Sequence, residues 1–359
     1  MEARAAELLV VFCSEHPAGS ELLAGVWDGA RGGRIIGCTA PMFFSNHGVQ
    51  EEGVVVLALG GDDLRVATAG ARLNDPRAAG RAVAESLVNA VGRTHPELCI
   101  LLTAALAGDQ DEIVRGAYGG LGGAVALVGG ATGDYPDVGS TRQFHDDEVL
   151  VDAVVGAALS CGGPVGIGVN HGFIPHGEPM LVTRSEREVV LELDGRPALD
   201  AYLEALDAPA EAGEDLDAFR TFALPHPLVL GRRLGLPPAR CVSAADFERR
   251  AITCIAEVPQ SALVWAAQSD REASLRAADK ACRQALAGLN GHPPRALLVF
   301  DCIGRRNLLE EPGGRQEMEI FAQAAGGAPW AGFFSYGEIA RIRGLSGFHN
   351  KAVVVLAIG

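Results

Sequence analysis

Lysine is almost absent from this chain: Lys280 and Lys351 are its only lysines, and the remaining basic residues are arginines. Acidic residues outnumber basic ones by 45 to 30, which gives a formal net charge of −15. A surface of this sign repels phosphate groups, and it therefore argues against a nucleic-acid-binding protein and against attachment to an anionic membrane. We expect no nucleic-acid partner and no membrane insertion.

Targeting and metal-binding patterns are also lacking. Residues 1–7 are acidic and small rather than basic, and no apolar run approaches the length of a membrane span, so we expect no signal peptide. The eight cysteines form no CxxC pair and no Cys/His spacing of the zinc type. Most of them lie in apolar runs, where a free cysteine behaves as a small hydrophobic residue. We therefore expect reduced thiols, a cytoplasmic location and no bound metal.

A pattern of elements recurs three times along the chain. Each copy has an apolar strand, a loop and helix, a strand with glycine, a turn with histidine and a closing apolar strand. The opening strands are predicted at residues 8–13, 98–103 and 296–300, and the closing strands at 54–59, 153–159 and 352–358. Short apolar runs bounded by turn residues are typical of strands buried on both faces. Helices are also predicted after the caps Asn74-Asp75-Pro76 and Ser269-Asp270.

The length of 359 residues and an apolar content of 48% favour two globular domains. We interpret the chain as a mixed α/β protein with two related domains. Each domain has a mixed β-sheet flanked by helices and is built from pseudo-repeated ββα and strand–helix–strand–hairpin units. Residues 207–217 are rich in Ala, Glu, Asp and Pro, a composition typical of a linker. The predicted domains are 1–206 and 220–359, with a linker at 207–219.

Seven short motifs carry a family resemblance, and they run in order from the first copy of the pattern to the third. They are Ile36-Gly37-Cys38-Thr39, Leu127-Val128-Gly129-Gly130, Val169-Asn170-His171-Gly172, Leu193-Asp194-Gly195-Arg196-Pro197-Ala198, Cys302-Ile303-Gly304-Arg305, Gly332-Phe333-Phe334-Ser335-Tyr336-Gly337-Glu338 and Phe348-His349-Asn350. In order and spacing these motifs resemble the FIST family of intracellular sensory proteins, with its FIST N and FIST C domains. The likeness extends over nearly the whole chain.

The resemblance implies a cytoplasmic small-ligand sensor of signal transduction, with amino acids as the proposed ligands of the family. Related modules often stand beside kinase, cyclic-nucleotide or chemotaxis output domains. This chain leaves no segment for such a domain, so we expect it to signal through a separate output protein or to do something other than signal. No enzymatic activity is expected, and no cofactor is required.

Polar residues stand at or beside the ends of the last three predicted strands, where binding pockets are usually built. The candidate ligand-binding residues are Cys302, Arg305, Ser335, Tyr336, Glu338 and Asn350. Arg305 offers paired donors to a carboxylate, and Glu338 could receive an ammonium group. An amino acid would satisfy both charges. The structural alternative pairs Arg305 with Glu338 directly or uses Arg305 to cap a helix.

Two other chemistries stay open. Some FIST proteins bind haem and sense nitric oxide, and His171 would then be the axial ligand. A thiol-dependent enzyme would use Cys302 as its nucleophile, with His349 as base and Asp301 or Glu338 as the orienting carboxylate. A pure interaction scaffold is the remaining alternative, favoured if the strands enclose no pocket.

Overall fold

The threefold pattern of the sequence is a threefold repeat of structure. The structure is a computed structural model that describes residues 6–15, 19–30, 32–91, 96–133, 141–231, 235–341 and 347–359. Unit one contains β1 (Leu8–Cys13), α1 (Gly19–Ala30), β2 (Arg34–Thr39), β3 (Phe43–Ser45), β4 (Gly48–Gln50) and β5 (Val54–Leu59). The segment that follows contributes β6 (Arg65–Arg72) and α2 (Pro76–Val91). Unit two contains β7 (Leu98–Ala104), α3 (Gln110–Leu121), β8 (Ala126–Thr132), β9 (Arg142–His145), β10 (Glu148–Val151) and β11 (Ala153–Ser160).

An insertion separates unit two from unit three. It contains β12 (Val165–Asn170), β13 (Ile174–Pro175), β14 (Met180–Glu186), β15 (Val189–Leu193), β16 (Arg196–Pro197), α4 (Ala198–Ala205), a 3₁₀ turn (Ala210–Gly213), α5 (Leu216–Ala223), β17 (Leu228–Leu230), β18 (Ala239–Arg240), β19 (Val242–Asp246), β20 (Ala251–Cys254), β21 (Leu263–Gln268) and α6 (Arg271–Ala287). Unit three contains β22 (Ala296–Cys302), α7 (Ile303–Ala325), β23 (Trp330–Ser335), β24 (Glu338–Arg341), β25 (Phe348–His349) and β26 (Val353–Ile358).

The three units share one strand arrangement. In each, the first two long strands are parallel, and the closing strand lies antiparallel to the first: β1 with β2 and β5, β7 with β8 and β11, β22 with β23 and β26. Val10, Ile100 and Leu298, from the three opening strands, belong to the same apolar core. Apolar side chains on both faces of these strands are buried, which explains their continuous apolar runs. The predicted mixed α/β class with pseudo-repeated units is confirmed.

Short hairpins interlock the units. The hairpin of unit one joins the sheet of unit three (β3 beside β23), that of unit two joins unit one (β9 beside β2), and that of unit three joins unit two (β24 beside β8). Linking strands also cross between units, since β6 pairs with β11 and β12 pairs with β26. Consequently Glu338 of unit three lies opposite Gly130 of unit two.

The insertion forms a separate layer with its own apolar core. Strands β13 to β21 build a nine-stranded sheet that α4 and α5 cover through Tyr202 and Phe219. Residues 207–219, the predicted linker, include the 3₁₀ turn and the start of α5, and both Ala212 and Phe219 are fully buried. This stretch is therefore part of the packed layer. Within the described residues, no helix is long and apolar enough to cross a membrane.

Candidate ligand-binding site

The polar residues at the end of unit three meet because β22 and β23 are parallel and end side by side. Cys302 lies opposite Ser335 in this pairing. The hydroxyl of Ser335 donates to Oε1 of Glu338 at 2.7 Å, and the backbone N–H of Ala352 donates to Oε2 at 2.9 Å. Three of the six candidate residues, Cys302, Ser335 and Glu338, thus form one buried cluster.

Burial controls the charge of this cluster. Glu338 has no exposed surface, and loss of hydration raises the pKa of its carboxyl group from 4.5 to about 8. The hydrogen bonds from Ser335 and from the Ala352 N–H act in the opposite direction but do not cancel the effect. At neutral pH the carboxyl group is therefore mostly protonated, and it offers a hydrogen-bonding group rather than a full negative charge.

Asn350 lies on the turn between β25 and β26, next to the same cluster. It is 1% exposed, and neither its amide nitrogen nor its amide oxygen has a hydrogen-bond partner among the described residues. Buried amides in native proteins are nearly always hydrogen-bonded. The following residue, Lys351, is also buried and donates from Nζ to the carbonyl oxygen of Leu224 at 2.6 Å. The turn thus holds polar groups with unused bonding capacity inside the protein.

Arg305 lies in a different contact network. Its Nε donates to Asp301 at 2.7 Å, and its terminal nitrogen donates to Glu317 and to the carbonyl oxygen of Ser274. Its side chain and those of both acids have no exposed surface. Burial opposes the charge of Arg305, but Glu317 and Asp301 outweigh it and raise the pKa of the guanidinium. Glu338 is not among the hydrogen-bonding partners of Arg305. The direct Arg305–Glu338 pair of the structural alternative is therefore not formed, and Arg305 binds two other acids instead of facing a ligand together with Glu338.

Helix α7 makes this network possible by breaking. Glu310 has φ 55° and ψ −174°, and Pro312 follows two residues later, so the helix has two segments. Arg305 lies on the first segment and Glu317 on the second, and both point into the protein. Burial, and then the charge of Asp301, raise the pKa of Glu317 well above its usual value.

Tyr336 lies beside an open pocket of about 290 Å³. The pocket is formed by the loop after β7, the β14–β15 turn, the segment after β20 and the ring of Phe348. The tyrosine is half-buried, its N–H donates to the carbonyl oxygen of Ala131 at 2.8 Å, and its ring fills the place of a side chain at Gly133. Of the six candidates, only Tyr336 is among the residues that line this pocket.

Sequence reasoning missed the charged rim of this pocket. Arg187, on the β14–β15 turn, forms an ion pair with Asp109, which also caps α3 by accepting the N–H of Glu112 at 3.2 Å. Glu188 and Glu257 add two further carboxylates. The Asp109 cap was a readable local signal, whereas its contact with Arg187 joins residues 78 positions apart and leaves no local pattern.

Two family domain models match consecutive stretches of this sequence. The FIST N domain model matches residues 7–196, and the FIST C domain model matches residues 198–341. The chain belongs to the FIST family. FIST domains are associated with sensors of signal transduction. The boundary between the two family domains falls at the start of α4.

Curated relatives of this FIST protein occur in mycobacteria. An uncharacterized protein of Mycobacterium tuberculosis is 31% identical over 229 residues, which cover 62% of this chain and 58% of the relative. An uncharacterized protein of Mycobacterium bovis is 31% identical over 237 residues, which cover 63% of this chain and 58% of the relative. The FIST chain therefore spans less than two thirds of the length of these relatives.

The haem alternative meets an obstacle at His171. The Nδ1 atom accepts the N–H of Phe173 at 2.9 Å, and Nε2 lies 2.9 Å from the carbonyl oxygen of Pro237. Burial lowers the pKa of this ring to about 4, which agrees with a neutral imidazole that donates from Nε2. Both ring nitrogens are therefore engaged within the FIST fold, and an axial bond would have to break one contact. His171 as placed does not fit an axial haem ligand.

The thiol alternative fails on burial. Burial first, and then the neighbouring Glu338, raise the pKa of Cys302 well above its usual value. Asp301 accepts a hydrogen bond from Arg305, and Nε2 of His349 lies 3.3 Å from the carbonyl oxygen of Ala340.

Within the described residues, no group of His, Cys, Asp and Glu side chains could hold a metal ion.

We expect Cys302 to react with a disulfide reagent at pH 7.5 at least about tenfold more slowly than the partly exposed Cys161 and Cys241. Mass spectrometry of timed samples would locate the modified cysteines. Cys161→Ser and Cys241→Ser variants serve as controls, because each should remove one early modification and leave the slow one unchanged. Early modification of Cys302 in the folded protein would restore the thiol hypothesis.

Proposed function

We propose that this FIST protein is a sensor that binds a small polar ligand, with amino acids as the ligand class, in the pocket beside Tyr336. The observation that supports this most directly is the pocket itself. It places one guanidinium (Arg187) and three carboxylates (Asp109, Glu188 and Glu257) around the aromatic rings of Tyr336 and Phe348. An amino acid carries both charges and a side chain, so it matches a rim of mixed sign around an apolar floor.

The other candidate residues take supporting positions in this proposal. Ser335 and Glu338 lie on either side of Tyr336 and Gly337, on the buried side of the same turn, while Asn350 follows the pocket residue Phe348 by two positions. Binding at Tyr336 would shift this turn and bring Asn350 the hydrogen bonds that it lacks. Cys302 and Arg305 lie at the end of β22 and the start of α7, next to the turn that carries Tyr336, and they stabilise that end of the strand. A separate output protein would then read the shift.

A cytoplasmic location completes the proposal. All eight cysteines are free thiols, and most are buried. Free thiols persist in a reducing compartment.

Calorimetric titration with individual amino acids tests the site. We expect at least one amino acid to bind, and we expect Tyr336→Ala and Arg187→Gln each to raise its Kd at least about tenfold, since each removes a direct contact. Arg184→Gln is the matched control, because Arg184 is a similarly exposed arginine of the same hairpin, paired with Glu192 outside the pocket. Absence of binding by every amino acid, or equal affinity in all three variants, would contradict the proposal.

A further inference from the structure

One strand of the threefold repeat lacks the cover that its two equivalents have. Strand β11 is paired on both sides, with β7 and β6, and β26 is paired on both sides, with β22 and β12. Among the described residues, β5 pairs with β1 alone and forms the edge of its sheet. The N–H of Ser14 bonds to the carbonyl oxygen of Gly53, so the alternate residues Val54, Val56 and Ala58 direct their backbone groups outward.

The sequence of β5 is that of a covered strand. Residues Val54–Leu59 read VVVLAL and residues Val353–Ile358 read VVVLAI, so five of six positions are identical. In β26 the alternate residues Val353, Val355 and Ala357 are completely buried. Their equivalents in β5 are exposed, with Val54 and Val56 each at 40%. An edge strand that faced only water would gain nothing from these valines, and exposed apolar edges are usually avoided.

The segments that cover β26 indicate what kind of segment would fit β5. Strand β12 pairs antiparallel with β26, and α6 packs over both. Gly166 and Gly168 make this contact possible, because a Cβ atom there would lie 1.8 Å from the carbonyl oxygens of Ala285 and Ala281 in α6. The alternate residues of β12, Ile167 and Val169, point to the other side and pack against the central core. The covering unit is thus a strand of alternating small and large apolar residues beneath an alanine-rich helix.

An empty groove marks the same place in unit one. A groove of about 430 Å³ runs beside residues 54–57 of β5, bounded by Asn46 of the β3–β4 turn and by Trp330. In unit two the corresponding space between β11 and β9 holds β6, whose Thr68 hydroxyl donates to Asp146 at 3.2 Å. A second hollow of about 420 Å³ continues along residues 58–64. Large apolar side chains of an added strand would enter this groove.

The charges that flank β5 disfavour its pairing with the β5 strand of a second copy of this chain. Exposed Glu51 and Glu52 precede β5, and exposed Asp62 and Asp63 follow it. Two β5 strands paired antiparallel would bring the acidic end of one copy against the acidic end of the other. The strand that fills the equivalent place in unit two, β6, begins with Arg65 and ends with Arg72. Basic residues at both ends of the added strand would complement β5.

We propose that β5 is the docking site for a strand–helix segment of a partner protein. The partner's strand runs antiparallel to β5. Its Gly or Ala residues face the partner's helix, its Ile or Val residues face the groove, and it has Arg or Lys at both ends. The helix packs its alanine-rich face over Val54, Val56 and Ala58. This mode is β-strand addition completed by a helix.

A peptide copied from the chain itself tests the site. The probe joins residues 165–172 to residues 270–288 through a short linker that contains arginine, with a second arginine before the strand and a fluorescent label; Gly172 lies beside Ala273 in the fold, so a short linker suffices. Fluorescence anisotropy with the whole protein should show saturable binding. Val56→Glu should raise Kd at least tenfold, whereas Leu181→Glu, at a similarly exposed residue of the nine-stranded sheet, should leave it unchanged.

Two further measurements make the result decisive. A peptide with valine at the positions of Gly166 and Gly168 should bind at least tenfold more weakly, because its helix can no longer approach the strand. Sedimentation of the protein alone should show no dimer that Val56→Glu disrupts. No saturable binding, equal affinity of the Val56→Glu variant, or a β5-dependent dimer would each overturn the proposal, and circular dichroism would confirm that the variants are folded.

Discussion

Replacing Arg305 with methionine should lower the free energy of unfolding by about 3–5 kcal/mol. The guanidinium is the shared partner of Asp301 and Glu317, and all three side chains are fully buried. Its removal leaves two acids facing each other without hydration or a counter-charge. The loss should be larger at pH 8 than at pH 5, because burial and the neighbouring Asp301 raise the pKa of Glu317, and protonation of Glu317 relieves the repulsion between the two acids.

Urea denaturation at both pH values measures this effect. Arg271→Met is the control, since Arg271 pairs with Glu310 at the surface and should contribute less than about 1 kcal/mol. Adding Asp301→Asn and Glu317→Gln to the Arg305→Met variant should recover most of the loss, because amides carry no charge to bury. A stable Arg305→Met variant, or no recovery in the triple variant, would show that the network contributes little.

The elements of the fold were largely readable from local sequence. The closing strand predicted at residues 54–59 is β5, and the caps at Asn74-Asp75-Pro76 and Ser269-Asp270 precede α2 and α6. Apolar runs and capping residues act within a few positions, so they identify strands and helices well. The exchange of hairpins was not readable, because β3 and β23 lie far apart in the chain and their contact leaves no periodicity.

In the candidate site, too, local sequence predicted the strand ends but not the contacts between distant residues. Sequence placed Cys302, Ser335 and Glu338 at strand ends, and parallel pairing of β22 with β23 brings them together. It could not show that Asp301 and Glu317 surround Arg305, because Glu317 reaches Arg305 only through the break in α7. The rim residue Arg187 comes from the insertion. Charged groups gathered by tertiary contacts, rather than by spacing, decide which surface is open to a ligand.

The buried polar groups of unit three belong to two systems with different charge behaviour. Arg305 is fixed by two acids, and the network stays charged because Arg305 does not lose its proton in the accessible pH range. Glu338 has neutral partners instead, a hydroxyl and a backbone N–H. The carboxyl group of Glu338, whose pKa is about 8, can change its charge near neutral pH. The turn that carries Tyr336 is therefore attached to a carboxyl group sensitive to pH.

Replacing Glu338 with glutamine should remove a large pH dependence of stability. The pKa of this carboxyl is about 8 in the folded protein and 4.5 at its ordinary value. The folded state therefore binds more protons than the unfolded state between these pH values, and stability falls as pH rises through this window. The stabilising contribution is fully present below about pH 4.5 and lost above about pH 8, a change on the order of 3–5 kcal/mol.

Denaturation of the wild type and Glu338→Gln from pH 5 to pH 9 measures this contribution. The amide oxygen of a glutamine can accept the Ala352 N–H, and its NH2 group can donate to the Ser335 hydroxyl, which can in turn donate to the carbonyl oxygen of Asp301. The two proteins should be similarly stable at pH 5, and the variant should be more stable by about 3 kcal/mol or more at pH 9. Glu319→Gln, which alters an exposed carboxyl on α7, should follow the wild type throughout. A difference between wild type and Glu338→Gln that stays constant with pH would mean that Glu338 is already ionised in the folded protein, and its partners would then have to stabilise a buried negative charge.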